Sequence, residues 1–404
     1  MLSLRIAIPA MDELDFLPVT LDALSKQDSI FPFEVYVCVN QPDAFWSIPE
    51  KITVCENNQK LLTFLHNYKT LPLHILDFAS PGCGWKGKKA GVGLARKVLF
   101  ERVLSECNPK DIIVSLDADT TVRPHYLQSV ANHFVQNPEK TALAVPYYHQ
   151  VSGDDTTRDK ALLRYEIYMR NYAINLLRIH SPYGFTALGS AIAMRAESLR
   201  KIGNITPLQS GEDFYLVQKF CKMGSLSLFN TECVYPAGRY SDRVPFGTGP
   251  AMCNGANGIW DSYPIYHHSF FNPIQDAYRH LKELYDNSLT VSENDFLWFL
   301  QKDQNKPDIW QEIRHNVSDF PHFVKAFHQK ADGLRILQYV REKHRQHPDK
   351  EANAIYDNLK HWMTRKCPAW IHPSQPWCQY SVEQLNTIRN LLFHDENQLR
   401  HDYG

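Results

Sequence analysis

Short apolar runs alternate with helix-spaced apolar positions through the first half of the chain. Leu4–Ile8, Glu34–Val39, Leu73–Phe78, Asp111–Leu116 and Thr141–Pro146 have strand length and β-rich composition. Between them, Leu17, Leu21 and Leu24, and later Leu127, Val130, Ala131 and Phe134, repeat at the spacing of one helix face. The pattern predicts helices over about 90–106 and 125–136 as well. Strand and helix in alternation predict an α/β fold with right-handed crossovers, a mainly parallel sheet covered on both faces, and ligands at the carboxyl edge of that sheet.

Further on, a long helical pattern over about 159–179 precedes the glycine-punctuated segment 184–204, and Gly211 opens another helix running to about Met223. Tyr235–Pro250, rich in Gly and Pro and holding Arg239 and Arg243, reads as a long loop. Beyond about Phe270 the pattern is mostly helical. Val291–Asp295 and Ser381–Gln384 carry capping-box spacing, and Leu385, Ile388 and Leu392 form an apolar stripe. The expected division is therefore a catalytic domain over 1–250 and a mainly helical region over 251–404. A chain of 404 residues fits that division, because one core of roughly 250 residues is about as large as single domains grow.

Composition narrows the classes. The formal net charge is −1 with both signs interspersed, which leaves no basic field for nucleic acid. The nine cysteines are scattered without a Cys-x-x-Cys pair, which suits a reducing compartment and not a zinc module or a disulfide framework. The opening MLSLRIAIPAMDE reads as a first strand, too short in its apolar part for a signal peptide, and nothing later approaches the ~18 apolar residues of a membrane span. A soluble cytoplasmic protein is expected, with no transmembrane segment and with peripheral membrane contact left open.

The chemistry concentrates in three places. Asp117 and Asp119 end the apolar strand of Asp111–Thr121 with one residue between them, so alternation can turn both carboxylates to the same side. Paired hard oxygens at a strand's carboxyl end suit Mg²⁺ or Mn²⁺, which would in turn hold a diphosphate; a loop start or cap before Pro124 is the other reading. Lys86, Lys88, Lys89 and Arg96 stand among Gly82, Gly84, Gly87, Gly91 and Gly93, where a helix N-terminus could face phosphates or a basic loop could simply be solvated. Gly91 and Gly93 lack the third glycine of a dinucleotide fingerprint. Glu212-Asp213 at a helix start could supply the base that an acceptor hydroxyl needs, or could be capping the helix.

Four blocks in order resemble the nucleotide-diphospho-sugar transferases of glycosyltransferase family 2, with the GT-A fold. They are Ile8–Glu13; Gly87–Ala90 with Gly91–Arg96; Leu116–Asp119 with Pro124; and Gly189, Ser190, Arg195, Leu199, Ile202 and Gly203 leading to Glu212-Asp213-Phe214. The resemblance covers about residues 4–224. It implies a metal-dependent, inverting, non-processive transfer of a sugar, of hexosyltransferase type, from a nucleotide-sugar donor to a carbohydrate or other hydroxyl acceptor. In it Asp119 binds the divalent cation, Asp117 lies near the ribose or the metal, Asp213 is the general base, and Glu212 orients that base or holds the acceptor. Pro9, Ala10 and Glu13 border the nucleotide, with Lys89 and Arg96 nearby.

The chain departs from the family where Asp residues commonly follow the second strand. Here it has Val39-Asn40-Gln41, so Asn40 is left to accept a hydrogen bond and the base need not be uracil. The Gln-x-x-Arg-Trp motif of processive synthases is absent. His268, with His267, stands where related enzymes sometimes recruit a third metal ligand, although paired histidines are more often packing residues. Arg239 and Arg243 could close over the diphosphate or lie in a surface turn, and Trp362, Trp370 and Trp377 could stack on carbohydrate or pack in a core. The alternatives are a retaining transferase or nucleotidyltransferase on the same fold, and a noncatalytic sugar-nucleotide-binding protein.

Overall fold

A computed structural model of the chain describes residues 2–87, 90–208, 210–241, 243, 247–303, 308–363 and 367–403. These divide into two compact units, one of residues 1–162, 186–257 and 400–404, the other of residues 163–185 and 258–399.

The elements of the first part of the chain run β1 (Leu4–Ala10), α1 (Leu17–Ser25), β2 (Phe33–Asn40), α2 (Ile52–Asn67), β3 (Leu73–Phe78), α3 (Val92–Glu106), β4 (Ile112–Ser115), β5 (Thr120–Val122), α4 (Tyr126–Gln136) and β6 (Ala142–Ala144). They continue with α5 (Thr156–Arg178), β7 (Ile192–Arg195), α6 (Ala196–Lys201), α7 (Glu212–Lys222), β8 (Leu226–Ser227), β9 (Val234–Pro236) and α8 (Thr248–Ala256). Seven strands form one sheet in the order β3-β2-β1-β4-β7-β6-β8, and β5 pairs with β9 in a separate ribbon. β1 pairs in parallel with both β2 and β4, which makes it a central strand apolar on both faces; only Arg5 within it is more than slightly exposed. The architecture is the expected α/β one, a mainly parallel sheet flanked by helices, followed by a helical C-terminal region.

The structure adds to the pattern in several places. β7 enters antiparallel to both β4 and β6, a reversal that strand-helix alternation alone does not predict. β7 and α6 come from the glycine-punctuated segment, and the loop expected over 235–250 opens on β9 and ends in α8. Helix α2 escaped the periodicity reading because its buried stripe of Cys55, Leu61, Leu62 and Leu65 also takes in the polar Asn58, which makes hydrogen bonds inside the fold.

The second unit is helical. At Ser381 the capping box is realised in full: the Ser381 hydroxyl accepts from Gln384 N at 3.2 Å, and Gln384 Oε1 accepts from Ser381 N at 2.9 Å. The helix Val382–Tyr403 buries Leu385, Ile388 and Leu392. At the other candidate box, Asn294 is the cap, its Oδ1 accepting from Phe296 N and Leu297 N at 3.0 Å each. Trp377 and Trp362 lie against the guanidinium groups of Arg164 and Arg178, at 4.5 and 5.7 Å, within this unit. Among the described residues no helix is long and apolar enough to cross a membrane. All nine cysteines are free, and the two exposed ones, Cys83 and Cys378, fall one in each unit.

Candidate functional site

The Asp117–Asp119 segment is pinned by backbone on three sides. Leu116 N donates to Ala7 O of β1 at 3.1 Å, Ala237 N donates to Asp119 O at 3.1 Å, and the Thr20 hydroxyl of α1 donates to Ala118 O at 2.8 Å. Ala118 is 2% exposed, whereas the side chains of Asp117 and Asp119 keep 34% and 18% of their surface. The small residue faces the core and its two neighbours are partly exposed, in a turn between β4 and β5 and not within a strand as the spacing suggested.

Arg96 of α3 joins the two motifs that lie far apart in sequence. Its guanidinium is buried and donates to Asp117 Oδ1 through Nη2 and to Glu212 Oε1 through Nη1. Burial alone would lower its pKa, but Asp117, Glu212 and Asp213 more than compensate and hold it charged. The guanidinium lies so close to Gly189 that a Cβ there would overlap Nη2, and the Ser115 hydroxyl fixes that backbone by donating to Gly189 O at 2.7 Å. Gly211, at φ +77°, makes the left-handed turn into α7 and delivers Glu212 and Asp213 in its first turn. Burial pushes the Asp213 carboxyl up to about 7; Glu212 and Asp117 push in the same direction, against Arg96 and the Phe214 N–H.

A second arginine pair holds the other acids. Arg239, just after β9, donates from Nε to Asp119 Oδ2 at 2.9 Å and from Nη2 to Glu13 Oε1, and its guanidinium covers the Phe16 ring at 4.2 Å. Arg243 Nη1 donates to the same Glu13 oxygen at 2.7 Å and to Met11 O at 2.6 Å. Glu13 Oε2 is buried and accepts no hydrogen bond from the described residues. Burial raises the Asp119 carboxyl to about 6, with Glu13 and Asp117 adding to the rise and Arg239 and Arg243 opposing it.

The remaining predicted residues fall as follows. Pro9 and Ala10 end β1 opposite Cys38 and Val39. Asn40 is 4% exposed with both ends of its amide engaged inside the fold: Nδ2 donates to Ala10 O at 3.0 Å and Oδ1 accepts from Trp85 Nε1 at 3.1 Å. Lys89 lies outside the described residues. His268 belongs to the second unit, where its ring stacks on His361 at 4.0 Å and its backbone N donates to Asn358 Oδ1 at 2.7 Å. Burial and the neighbouring His267, His361 and Lys350 hold it down at about 4. Sequence reasoning put Arg96 beside the nucleotide and missed its bridging role; the ion pairs of Arg239 and Arg243 span more than a hundred residues and left only two arginines in a loop as a hint.

Two of the acids are of the kind that could contribute oxygens to a divalent cation. Asp117 Oδ2 and Asp119 Oδ1 accept no hydrogen bond among the described residues, leaving two hard oxygens for an ion. No group of three or more His, Cys, Asp or Glu among the described residues could hold a metal by itself, so water and donor oxygens would fill the other positions, as Mg²⁺ commonly requires. Around these contacts five carboxylates, Glu13, Asp117, Asp119, Glu212 and Asp213, meet three guanidinium groups, those of Arg96, Arg239 and Arg243.

Residues 86–203 match the family model of glycosyl transferase family 2. Arg96, Asp117, Asp119 and Gly189 lie inside the matched stretch, while Glu13, Glu212, Asp213, Arg239 and Arg243 lie outside it. No curated protein matches the chain. Among solved structures, the 1–349 part of S. aureus TarS in complex with UDP-GlcNAc is similar at 15% identity and TM-score 0.42, over 85% of this chain and 92% of that one. Glucosyl-3-phosphoglycerate synthase from Mycobacterium tuberculosis, in complex with Mn²⁺, UDP and glucosyl-3-phosphoglycerate, is similar at 13% identity and TM-score 0.38, over 64% and 80%. Against another TarS chain, the match spans 42% of that chain's length at 14% identity and TM-score 0.38, covering 74% of this one.

Proposed function

We propose that the chain transfers a sugar from a nucleoside-diphosphate donor to an acceptor hydroxyl, with a divalent cation and with inversion at the anomeric carbon. The observation that carries the reading is the Arg96 bridge, which brings Asp117 of the strand-end motif and Glu212, the neighbour of Asp213, onto one guanidinium. Asp213 is assigned as the base. A carboxyl raised to about 7 is half ionised near neutral pH and so is matched to taking a proton from a hydroxyl. As the acceptor oxygen bonds to the anomeric carbon, the bond from that carbon to the diphosphate breaks, the hydroxyl proton passes to Asp213, and the nucleoside diphosphate departs.

Asp117 and Asp119 would hold the cation, Mn²⁺ or Mg²⁺, which when bound neutralises charge on the departing diphosphate. Excess acid at the site supports this, since five carboxylates against three guanidinium groups leave room for a doubly charged ion. Arg239 and Arg243, partly exposed, are assigned to the donor side, where they can exchange carboxylate oxygens for phosphate oxygens of the same geometry. Pro9, Ala10 and Glu13 are assigned to the nucleotide border, and the free cysteines fit a cytoplasmic setting.

The test is Asp213→Asn, isosteric but unable to take the proton. Calorimetry with UDP-, GDP- and dTDP-sugars in Mn²⁺ should show donor binding unchanged from wild type, while turnover falls by about 10²–10⁴-fold. Turnover near the wild-type rate would remove Asp213 from the mechanism, and a product that keeps the donor's anomeric configuration by NMR would remove the single displacement.

A further inference from the structure

A hollow lined by residues of the helical unit offers a site independent of the transfer chemistry. It has a volume of about 420 Å³, and its lining includes Ser262, Gln338, Arg341, His344 and Arg345, with Asp261 the one carboxylate among its lining residues. Arg341, His344 and Arg345 come from the last turns of the helix Gly333–Gln346, where cations are favourable for the helix dipole alone. Two further observations go beyond that.

The first is the pairing of the arginines. In this unit Arg164, Arg170, Arg178, Arg279, Arg314 and Arg389 each meet a carboxylate within 4 Å. Arg341 and Arg345 meet none among the described residues, and Arg341 instead lies beside the hydroxyls of Tyr168 and Tyr266. Guanidinium groups left without an anion beside a concave surface are the donors that bidentate oxyanion recognition uses. The second is His344. Its Nε2 lies 3.4 Å from Glu351 Oε2, while its Nδ1 is buried with no hydrogen-bond partner among the described residues. Glu351, partly exposed, also accepts from Arg164 Nη2 at 3.2 Å and Ile265 N at 3.1 Å through its other oxygen, Oε1.

We infer that this hollow binds the phosphoryl group of a small phosphorylated molecule, held by Arg341 and Arg345 with Ser262 and Gln338 as further hydrogen-bonding groups. Two guanidinium forks match a dianion with three free oxygens better than a carboxylate with two. The volume admits a group of several heavy atoms beyond the phosphorus.

Isothermal titration of the whole chain with inorganic phosphate, without donor or metal, tests the inference. Saturable binding is expected, weakened about tenfold or more in the Arg341→Gln/Arg345→Gln double variant. Absence of saturable binding in the wild type, or unchanged affinity in the double variant, overturns it. Arg345→Gln alone, at an exposed position, covers the case in which the double variant does not fold: about threefold or greater weakening is expected, and no change overturns the site. Phosphate binding that persists in the double variant but is lost in Arg239→Gln would place the phosphate in the first unit and equally overturn the inference. Succinate bound more tightly than phosphate would overturn the phosphoryl assignment. None of these outcomes depends on Asp213, so failure here and failure of the transferase reading are separable.

Discussion

The two arginine bridges of the first unit use the same chemistry in different surroundings. Arg96 is buried, with only 5% of its side chain exposed, and spans Asp117 and Glu212 over a glycine that leaves no room for a side chain. Arg239 and Arg243 keep 21% and 30% of their side chains exposed and share Glu13, on a segment that also meets Asp119. A guanidinium sealed from water loses heavily if its partners go, because nothing replaces them; one at the surface can trade a carboxylate for another anion at little cost. The first bridge is thus built to stay, and the second to exchange.

The contrast can be broken by substitution. Arg96→Ala should cost about 3–5 kcal/mol, because Glu212 and Asp117 then remain buried or part-buried without their counter-charge; urea denaturation measures this, and a loss below about 1 kcal/mol would make the bridge dispensable. A pH scan probes the acids that the bridges hold. Asp213 raised to about 7 and Asp119 raised to about 6 bind protons in the native state that the unfolded chain, with carboxyls near 4, has released. Their contribution is fully present below about pH 4 and is lost as pH rises through 6 to 7, so stability should fall across that window. Asp213→Asn should flatten the upper part of the decline and melt higher than wild type at pH 8. A melting temperature that rises with pH in both proteins would contradict these shifts.

Gly189→Ala sharpens the comparison without touching a charge. The added methyl displaces Arg96, and a loss of about 1–3 kcal/mol is expected, with donor binding weakened alongside. Arg239→Gln is expected to have the smallest effect on stability, about 0–1 kcal/mol, while donor affinity in Mn²⁺ drops measurably. If Arg239→Gln destabilised the chain as much as Arg96→Ala, the distinction between a fixed and an exchangeable bridge would be lost.

Much of this site was legible because it is local. Asp117 and Asp119 stand out as candidates from their spacing at the end of an apolar run, Asp213 from a glycine before a helix start, and the capping box at Ser381 and Gln384 from spacing alone. The fold was legible where apolar runs were clean, as in β1 and β2, and illegible in α2, whose buried face includes Asn58 bonded to Gln41 Oε1 at 2.8 Å. What stayed hidden were partnerships between distant residues. Arg96 meets Glu212 across 116 positions, and Arg239 meets Glu13 across 226, and no window of sequence holds both partners. Asn40 illustrates the same limit from the other side: its position after a strand suggests an open ligand contact, but the Trp85 indole that engages it arrives from 45 residues away.

The placement of the thiols has a practical consequence. Cys83 and Cys378 are exposed while Cys38, Cys55, Cys107 and Cys221 are buried, so brief maleimide treatment of the unaltered chain should tag these two exposed sites first, one dye per compact unit. Each dye would then report, by its own fluorescence, on donor-induced change within the unit that carries it, with no engineered cysteine needed.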